Sequence, residues 1–360
     1  MTIELLKDFT LPELIDTDNH DWERIAATFM ASPRVFESAL FKLHFKRKKP
    51  FTAQQKKNIL RFLETGYTAS RDVRYFNEFL WFYNDEDNAA ELKEKLMQAF
   101  NKNVDSSGHH SFPLATKDEV RSFLDRNKFS SEAKVNNNLK VGLVGFPAFF
   151  GSIQKELKKA GFDVHQIFIP FHPNKKINKL LSIPLLVKGI CWLKKNTFRY
   201  DTLNYHYKDP AIGAALLSRK FDIGFHKLNF IIKNNIFDNF RKGLINDHWA
   251  VLPHVRGKST IAWTLLFGFP MVSTLHLIDN GVDTGKIIGF YEYDVKGIDT
   301  INGVRNKLRS TLTERIVDGV KRLSADEFHF IENTPSGGLT FYEIHPWLYG
   351  FVEERLKVKA

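Results

Sequence analysis

Sulfur is nearly absent: the 360 residues include one Cys, Cys191, and four Met. A single thiol closes no intrachain disulfide and builds no Cys-rich metal site. Long apolar runs are missing too. The longest apolar patch, LLSIPLLVKGICWL at 180–193, is interrupted by Lys188 and is too short to span a bilayer. Negative charge is in deficit, with 41 Asp and Glu against 52 Lys and Arg, a balance of +11. Such a balance suits anionic partners (nucleotides, phosphates, nucleic acid or a membrane surface), and it equally suits mere solvation of the chain. The opening residues, MTIELLKDFTLPELIDTDNHDW, carry acids early and no apolar stretch. A signal peptide is therefore not expected, and a cytoplasmic protein is the default.

What is present is enough apolar material, 43% of residues, to build cores. The length favours two domains. Residues from about 20 to 100 read as helices. WERIAATFM sets Trp22, Ile25, Ala26 and Phe29 on one face. TAQQKKNILRFLETG has a cap at Thr52 and an expected stop at Gly66. KRKK at 46–49 reads as a solvated helix end. The segment 101–119 reads as a loop, with His109 and His110 solvated in it rather than holding a metal. The boundary is placed near residue 137: a helical domain over 1–137, a second domain over 138–345, and a tail over 346–360. A chain starting near Asn137 is expected to fold alone.

Past that boundary the pattern changes. LKVGLVGFPAF, IQKELKKAGF and DVHQIFIPF read as strand, helix and strand, a right-handed βαβ unit in a parallel sheet. The expected fold is α/β, an open and mostly parallel sheet preceded by an all-α domain. Ligands of such sheets collect at the carboxyl ends of the strands. Gly142, Gly145 and Gly151 do not keep the dinucleotide-binding spacing. LIDNGVDTGKI fails as a calcium loop, because Gly281 and Thr284 stand where ligand and glycine are required.

The strand GLIN ends in Asn246, with His248 two residues on and so on the same face. Asp283 follows in a Gly-flanked turn after the strand MVSTLHLID. An amide donor stabilises an oxyanion, an imidazole moves protons at neutral pH, and a carboxylate tunes it. No nucleophile motif such as G-x-S-x-G accompanies them, so an amine or water attacks directly.

The order Asn246-Asp247-His248, Leu252-Pro253, Arg256-Gly257, a Trp-bearing helix, Thr274-Leu275-His276 and Asp279-Asn280-Gly281-Val282-Asp283-Thr284-Gly285 resembles the folate-dependent formyltransferase family. The likeness runs over about 139–345 and includes GGLTFY at 337–342. It implies a Rossmann-like formyltransferase domain with N10-formyltetrahydrofolate as formyl donor and no metal. By the same resemblance Asn246 binds the formyl oxygen, His248 assists it and moves protons, and Asp283 positions His248 and helps accept a proton. The pterin is expected between two loops, Leu228-Asn229-Phe230 and Asp279 to Val282, with Gly281 in the second. Two places depart from the family pattern: Trp249-Ala250 replaces the usual Pro-Ser, and HKLNFII lacks small residues. Trp249 is a candidate to stack on substrate, or a packed core residue.

RGKSTIAWTLLFG is similar to the corresponding run of sugar N-formyltransferases, and nothing after residue 345 reads as an oligonucleotide-binding barrel. The expected acceptor is the amine of a nucleotide-linked sugar or another small amine, with Arg256 near its phosphate. Neither nucleic acid nor membrane is expected as a partner. The helical domain is left to supply an acceptor surface or a homodimer contact. Two other classes stay open: a hydrolase that uses the same residues with water, and a non-catalytic binding protein on this fold.

Overall fold

The computed structural model describes residues 22–31, 36–48, 50–83, 90–128, 134–169, 186, 200–202, 211–228 and 230–359. Cys191, the 180–193 patch apart from Leu186, Asn229 and the first 21 residues lie outside these, as does the side chain of Phe29.

Among the described residues six helices come first: α1 (Trp22–Ala31), α2 (Glu37–Lys46), α3 (Ala53–Ser70), α4 (Val73–Phe82), α5 (Ala90–Lys102) and α6 (Lys117–Arg126). Thr52 caps α3 and Thr116 caps α6, each with a reciprocal bond from the third helical residue, Gln55 and Glu119. Gly66 does not stop α3, which runs on to Ser70 and ends at left-handed Arg71. A Cβ on Gly66 would sit 2.6 Å from the Tyr75 ring, so this glycine lets α4 pack closely. Arg47, at the basic helix end, lies 4.1 Å over Trp81 and pairs with Glu343 at 2.6 Å rather than standing free in solvent. His110 is also not solvated: it is buried and bonded to the Tyr67 hydroxyl at 2.9 Å and the Ser111 carbonyl at 2.8 Å.

The α/β part follows: β1 (Lys140–Gly145), α7 (Gly151–Lys159), β2 (Asp163–Phe168), β3 (Tyr200–Thr202), α8 (Ala211–Leu217), β4 (Phe221–Lys227), α9 (Asn234–Phe237), β5 (Phe240–His248), β6 (Val255–Gly257), α10 (Thr260–Phe267), β7 (Val272–Leu277), β8 (Ile287–Glu292), α11 (Ile301–Ser310), α12 (Leu312–Ser324), β9 (Leu339–Phe341) and α13 (Pro346–Lys359). The main sheet runs β3-β2-β1-β4-β5-β7-β8, with β3 through β5 parallel and β7 and β8 antiparallel. β1 is apolar and buried from Val141 onward because helices cover both faces. A separate parallel pair, β6 and β9, lies beside the sheet.

Helices before residue 137 do not close a core of their own. Phe62, Phe76, Phe100 and Leu124 share one buried cluster with Trp263, Phe267, Phe341 and Leu348. Phenylalanine fills this junction: Phe112 meets Phe267 at 5.0 Å and Phe269 at 5.2 Å, and Phe123 meets Phe290 at 5.7 Å. The expected tail at 346–360 is instead the helix α13, with Leu348 and Val352 buried in this cluster. Polar bonds reinforce the junction. Arg74 donates to Glu37 (2.8 Å) and to the Thr340 carbonyl (3.2 Å), and Thr340 N donates back to Glu37 (3.2 Å). Asn77 brackets β9's far end, donating to the Glu343 carbonyl at 3.2 Å and accepting from His345 N at 2.7 Å.

Candidate active site

Strand β5 carries the site. Its parallel ladder with β4 stops at Ile245, while its antiparallel ladder with β7 continues to His248. Asn246 is therefore the first residue beyond the parallel sheet, and the strand reaches past the expected GLIN. The register sets Asn246 opposite His276. Asn246 Nδ2 donates to His276 Nε2 at 3.0 Å and approaches Asp283 Oδ1 at 3.4 Å. His248 Nδ1 lies 3.4 Å from Asp283 Oδ2. The three residues expected to converge do so, around one carboxylate.

Each imidazole has one nitrogen spoken for. His248 Nε2 meets the Val255 carbonyl at 2.8 Å, and His276 Nδ1 meets the Leu277 carbonyl at 2.7 Å. A carbonyl only accepts, so both nitrogens carry hydrogen. His248 Nδ1 is then the atom that gains or loses a proton, and it faces Asp283. Burial pushes the His248 pKa below its ordinary value, against the pull of Asp283, so the ring is suited to accept a proton near neutrality. Burial works to raise the Asp283 carboxyl, but His248, His276 and the Gly257 N–H (2.9 Å) outweigh it and hold it well below the carboxylate range. Asp283 itself has left-handed φ, 53°, and Asn333 holds its turn by donating to the carbonyls of Asp283 (2.9 Å) and Gly285 (2.8 Å).

The small β6–β9 pair supports this geometry from behind. Val255 and Gly257, the ends of β6, are the residues that bind His248 and Asp283. Arg256 between them is buried, and its Nη2 donates to the carbonyls of Pro335 and Gly338, both at 3.0 Å. Those bonds make Arg256 a brace for the 335–338 loop.

The opposite face of β5 holds a second polar cluster. Asp247 receives Arg315 through Nε at 2.9 Å and Nη2 at 2.8 Å, Trp249 Nε1 at 2.8 Å, and the Ser273 hydroxyl. Trp249 is thus half-buried on this face, with Lys227 Nζ 5.1 Å and Arg309 Cζ 6.0 Å from its ring centroid.

Of the loop residues expected to hold a pterin, Leu228 and Phe230 pack beside Ile278 over the core on the triad's face. Asp279 is occupied by its own turn, accepting from Gly281 N (3.0 Å) and the Thr284 hydroxyl (2.7 Å). Gly281 and Val282 are exposed. His226, which no motif in the sequence singles out, is buried on the same face with its Nε2 lacking a hydrogen-bond partner, and burial lowers its pKa to about 3. His276 stood in the quoted Thr-Leu-His motif, but only the β5–β7 register reveals its place opposite Asn246. His248, His276 and Asp283 offer three ligand atoms within 4.8 Å of one another, a set compatible with a cation. In this arrangement the Asn246 amide already occupies the His276 lone pair.

Residues 224–320 match the family model described as formyl transferase. Mitochondrial 10-formyltetrahydrofolate dehydrogenase of Mus musculus is 28% identical over 189 residues, 51% of this chain and 19% of the relative. Methionyl-tRNA formyltransferase of Aromatoleum aromaticum is 25% identical over 213 residues, 56% of this chain and 63% of the relative. The chain thus spans less than two thirds of either. A sugar N-formyltransferase from a Shewanella species overlays 61% of this chain and 87% of its own, at TM-score 0.43 and 16% identity, too loosely to bear on function. No helix among the described residues is long and apolar enough to cross a membrane.

Proposed function

We propose that this chain transfers a formyl group from N10-formyltetrahydrofolate to the primary amine of a small molecule, a nucleotide-linked amino sugar being the preferred class. The observation that carries the reading is the convergence of Asn246, His248 and His276 on Asp283 inside the segment that matches the formyl transferase model. The residues present fit a reduced folate. The orphaned His226 Nε2 suits a polar ring edge, and exposed Ile231 and Val282 on the two flanking loops suit an apolar one.

When bound, the folate supplies an activated formyl carbon. The acceptor nitrogen forms a bond to that carbon as the carbon's bond to N10 breaks, and one proton moves from amine to N10. Asn246 donates to the formyl oxygen as negative charge builds on it. Both amide hydrogens are directed at His276 and Asp283, and the 3.4 Å contact to Asp283 is the weaker, so it is the one redirected. His248 Nδ1 takes the amine proton, and Asp283 stabilises the imidazolium. Asp283 stays ionised throughout, which its depressed pKa allows.

The test is incubation with the formyl donor and a panel of amino-sugar nucleotides, read by mass spectrometry for a formyl gain. Transfer to an amine supports the reading. Steady tetrahydrofolate release without any amine assigns a hydrolase instead, and failure to bind folate assigns a non-catalytic protein.

A further inference from the structure

We infer that Lys227, Trp249 and Arg309 form an anion subsite at the carboxyl ends of β4 and β5, on the face of β5 opposite the triad, and that it takes the phosphate of the acceptor. The inference rests on the formyl-transfer reading for the identity of the ligand, not for the existence of the site. Lys227 is the last residue of β4 and pairs with Gly145, the last residue of β1. The sheet order reverses there, because β1 leads to β2 on one side and has β4 on the other. Open α/β sheets bind ligands in the crevice at that point. Trp249 follows His248 directly but lies with Asp247 on the other face of β5, so an acceptor whose phosphate is held here reaches the triad over the carboxyl end of the strand.

The charge balance favours an added anion. Two cations converge on one indole ring, at 5.1 Å and 6.0 Å, and neither has a carboxylate partner among the described residues. The nearest acid, Asp247, is fully used by Arg315, Trp249 and Ser273. Lys227, Arg309 and Arg315 thus face a single negative charge. Burial depresses the Lys227 pKa, and repulsion from Arg315 and Arg309 adds to the effect against Asp247. A phosphate relieves both repulsions. Arg309 meets it as a fork and Lys227 as a point charge. The Trp249 ring holds both heads in place through its π-face.

Polyanionic chemistry has a second source, the glutamyl carboxylates of a folate, so the experiment has two arms. Pyrophosphate and monoglutamyl 5-formyltetrahydrofolate are titrated separately by calorimetry into the full chain and into Lys227→Met and Arg309→Met, with melting curves recorded for each variant. The expected result is a loss of about tenfold or more in pyrophosphate affinity for each variant, since charge-assisted bonds are of that size, with folate affinity within about twofold of the wild type. Unchanged pyrophosphate affinity, or no pyrophosphate binding by the wild type, overturns the subsite. A loss of folate affinity equal to the loss for pyrophosphate overturns its assignment to the acceptor. If Lys227→Met melts early, Lys227→Arg should recover both melting and pyrophosphate binding, and recovery of melting alone overturns the subsite. Pyrophosphate binding of the expected pattern in a chain that transfers no formyl group leaves the subsite standing and removes the formyl-transfer reading.

Discussion

Replacing Arg74 by Met cuts the polar seam between the helices and the β6–β9 pair. Arg74 is 1% exposed. Its guanidinium binds both oxygens of Asp72 (2.7 to 3.1 Å), Glu37 at 2.8 Å and the Thr340 carbonyl at 3.2 Å. Met keeps most of the volume, so the change is chiefly the loss of one charge. It leaves Asp72, fully buried, and Glu37, partly buried, without their cation. Removing one partner of a buried pair costs about 3–5 kcal/mol, a third or more of the ~5–15 kcal/mol that holds an ordinary domain. The assay is denaturant unfolding followed by far-UV circular dichroism, which weighs the helices, and by tryptophan fluorescence, which includes buried Trp263 in the shared core. Both probes should move together to lower denaturant, because Phe76, Phe100, Trp263 and Phe341 lie in one cluster. Formyl transfer should also fall below the melting range, since Thr340 pairs with Arg256 between the two residues that bind His248 and Asp283. A loss under about 1 kcal/mol, or a helical signal that melts while the fluorescence stays, would refute the shared-core reasoning.

Three further outcomes follow from the same geometry. Asn246→Ala should fold and lose about 10²–10³ in turnover, the usual cost of one oxyanion donor, and His248→Ala at near wild-type turnover would sink the mechanism. A chain cut at residue 137 should melt without cooperativity or fail to stay in solution, because it strips Phe62, Phe76, Phe100 and Phe112 from the core; a sharp calorimetric transition for 137–360 would reverse that conclusion. Acid should weaken the fold well before carboxylates titrate. His110 and His254 have pKa values lowered to about 4, and His226 to about 3, by burial. Below about pH 6.5 the unfolded chain binds protons that these rings refuse, so their contribution is fully present above that pH and is lost as pH falls towards 4. A tenfold change in proton affinity is worth about 1.4 kcal/mol, so between about pH 6.5 and pH 4 each ring gives up on the order of 3 kcal/mol. A denaturation midpoint that stays flat from about pH 7 to about pH 4.5 would contradict it.

Much of the site was legible because it is local. Asn246 and His248 sit two apart on one strand, and period-2 geometry alone sets them on the same face. Thr52 announced its helix through side-chain chemistry that acts within three residues. What was illegible depends on contacts remote in sequence. Gly66 reads as a helix stop until the Tyr75 ring is seen against it. His110 reads as a loop residue until Tyr67 and Phe100 enclose it. Arg256 reads as a phosphate ligand until its burial and the Pro335 and Gly338 carbonyls on its Nη2 are seen. His276 needed the antiparallel register, which no spacing within one strand encodes.

The alternation along β5 divides the labour of one strand between its two faces. Even-numbered Asn246 and His248 present reactive groups, while Asp247 between them is fixed by four donors, two of them from one guanidinium. An isolated carboxylate at that position would be costly to bury, and it would leave the strand end without its side-chain tie to α12. The Arg315 fork removes both problems, because α12 is itself packed on the sheet through Ile316 and Val320. The strand end is therefore held from α12 on one face and from β6 on the other. The helical half reaches the same end through β9, so all three parts of the chain set the position of His248.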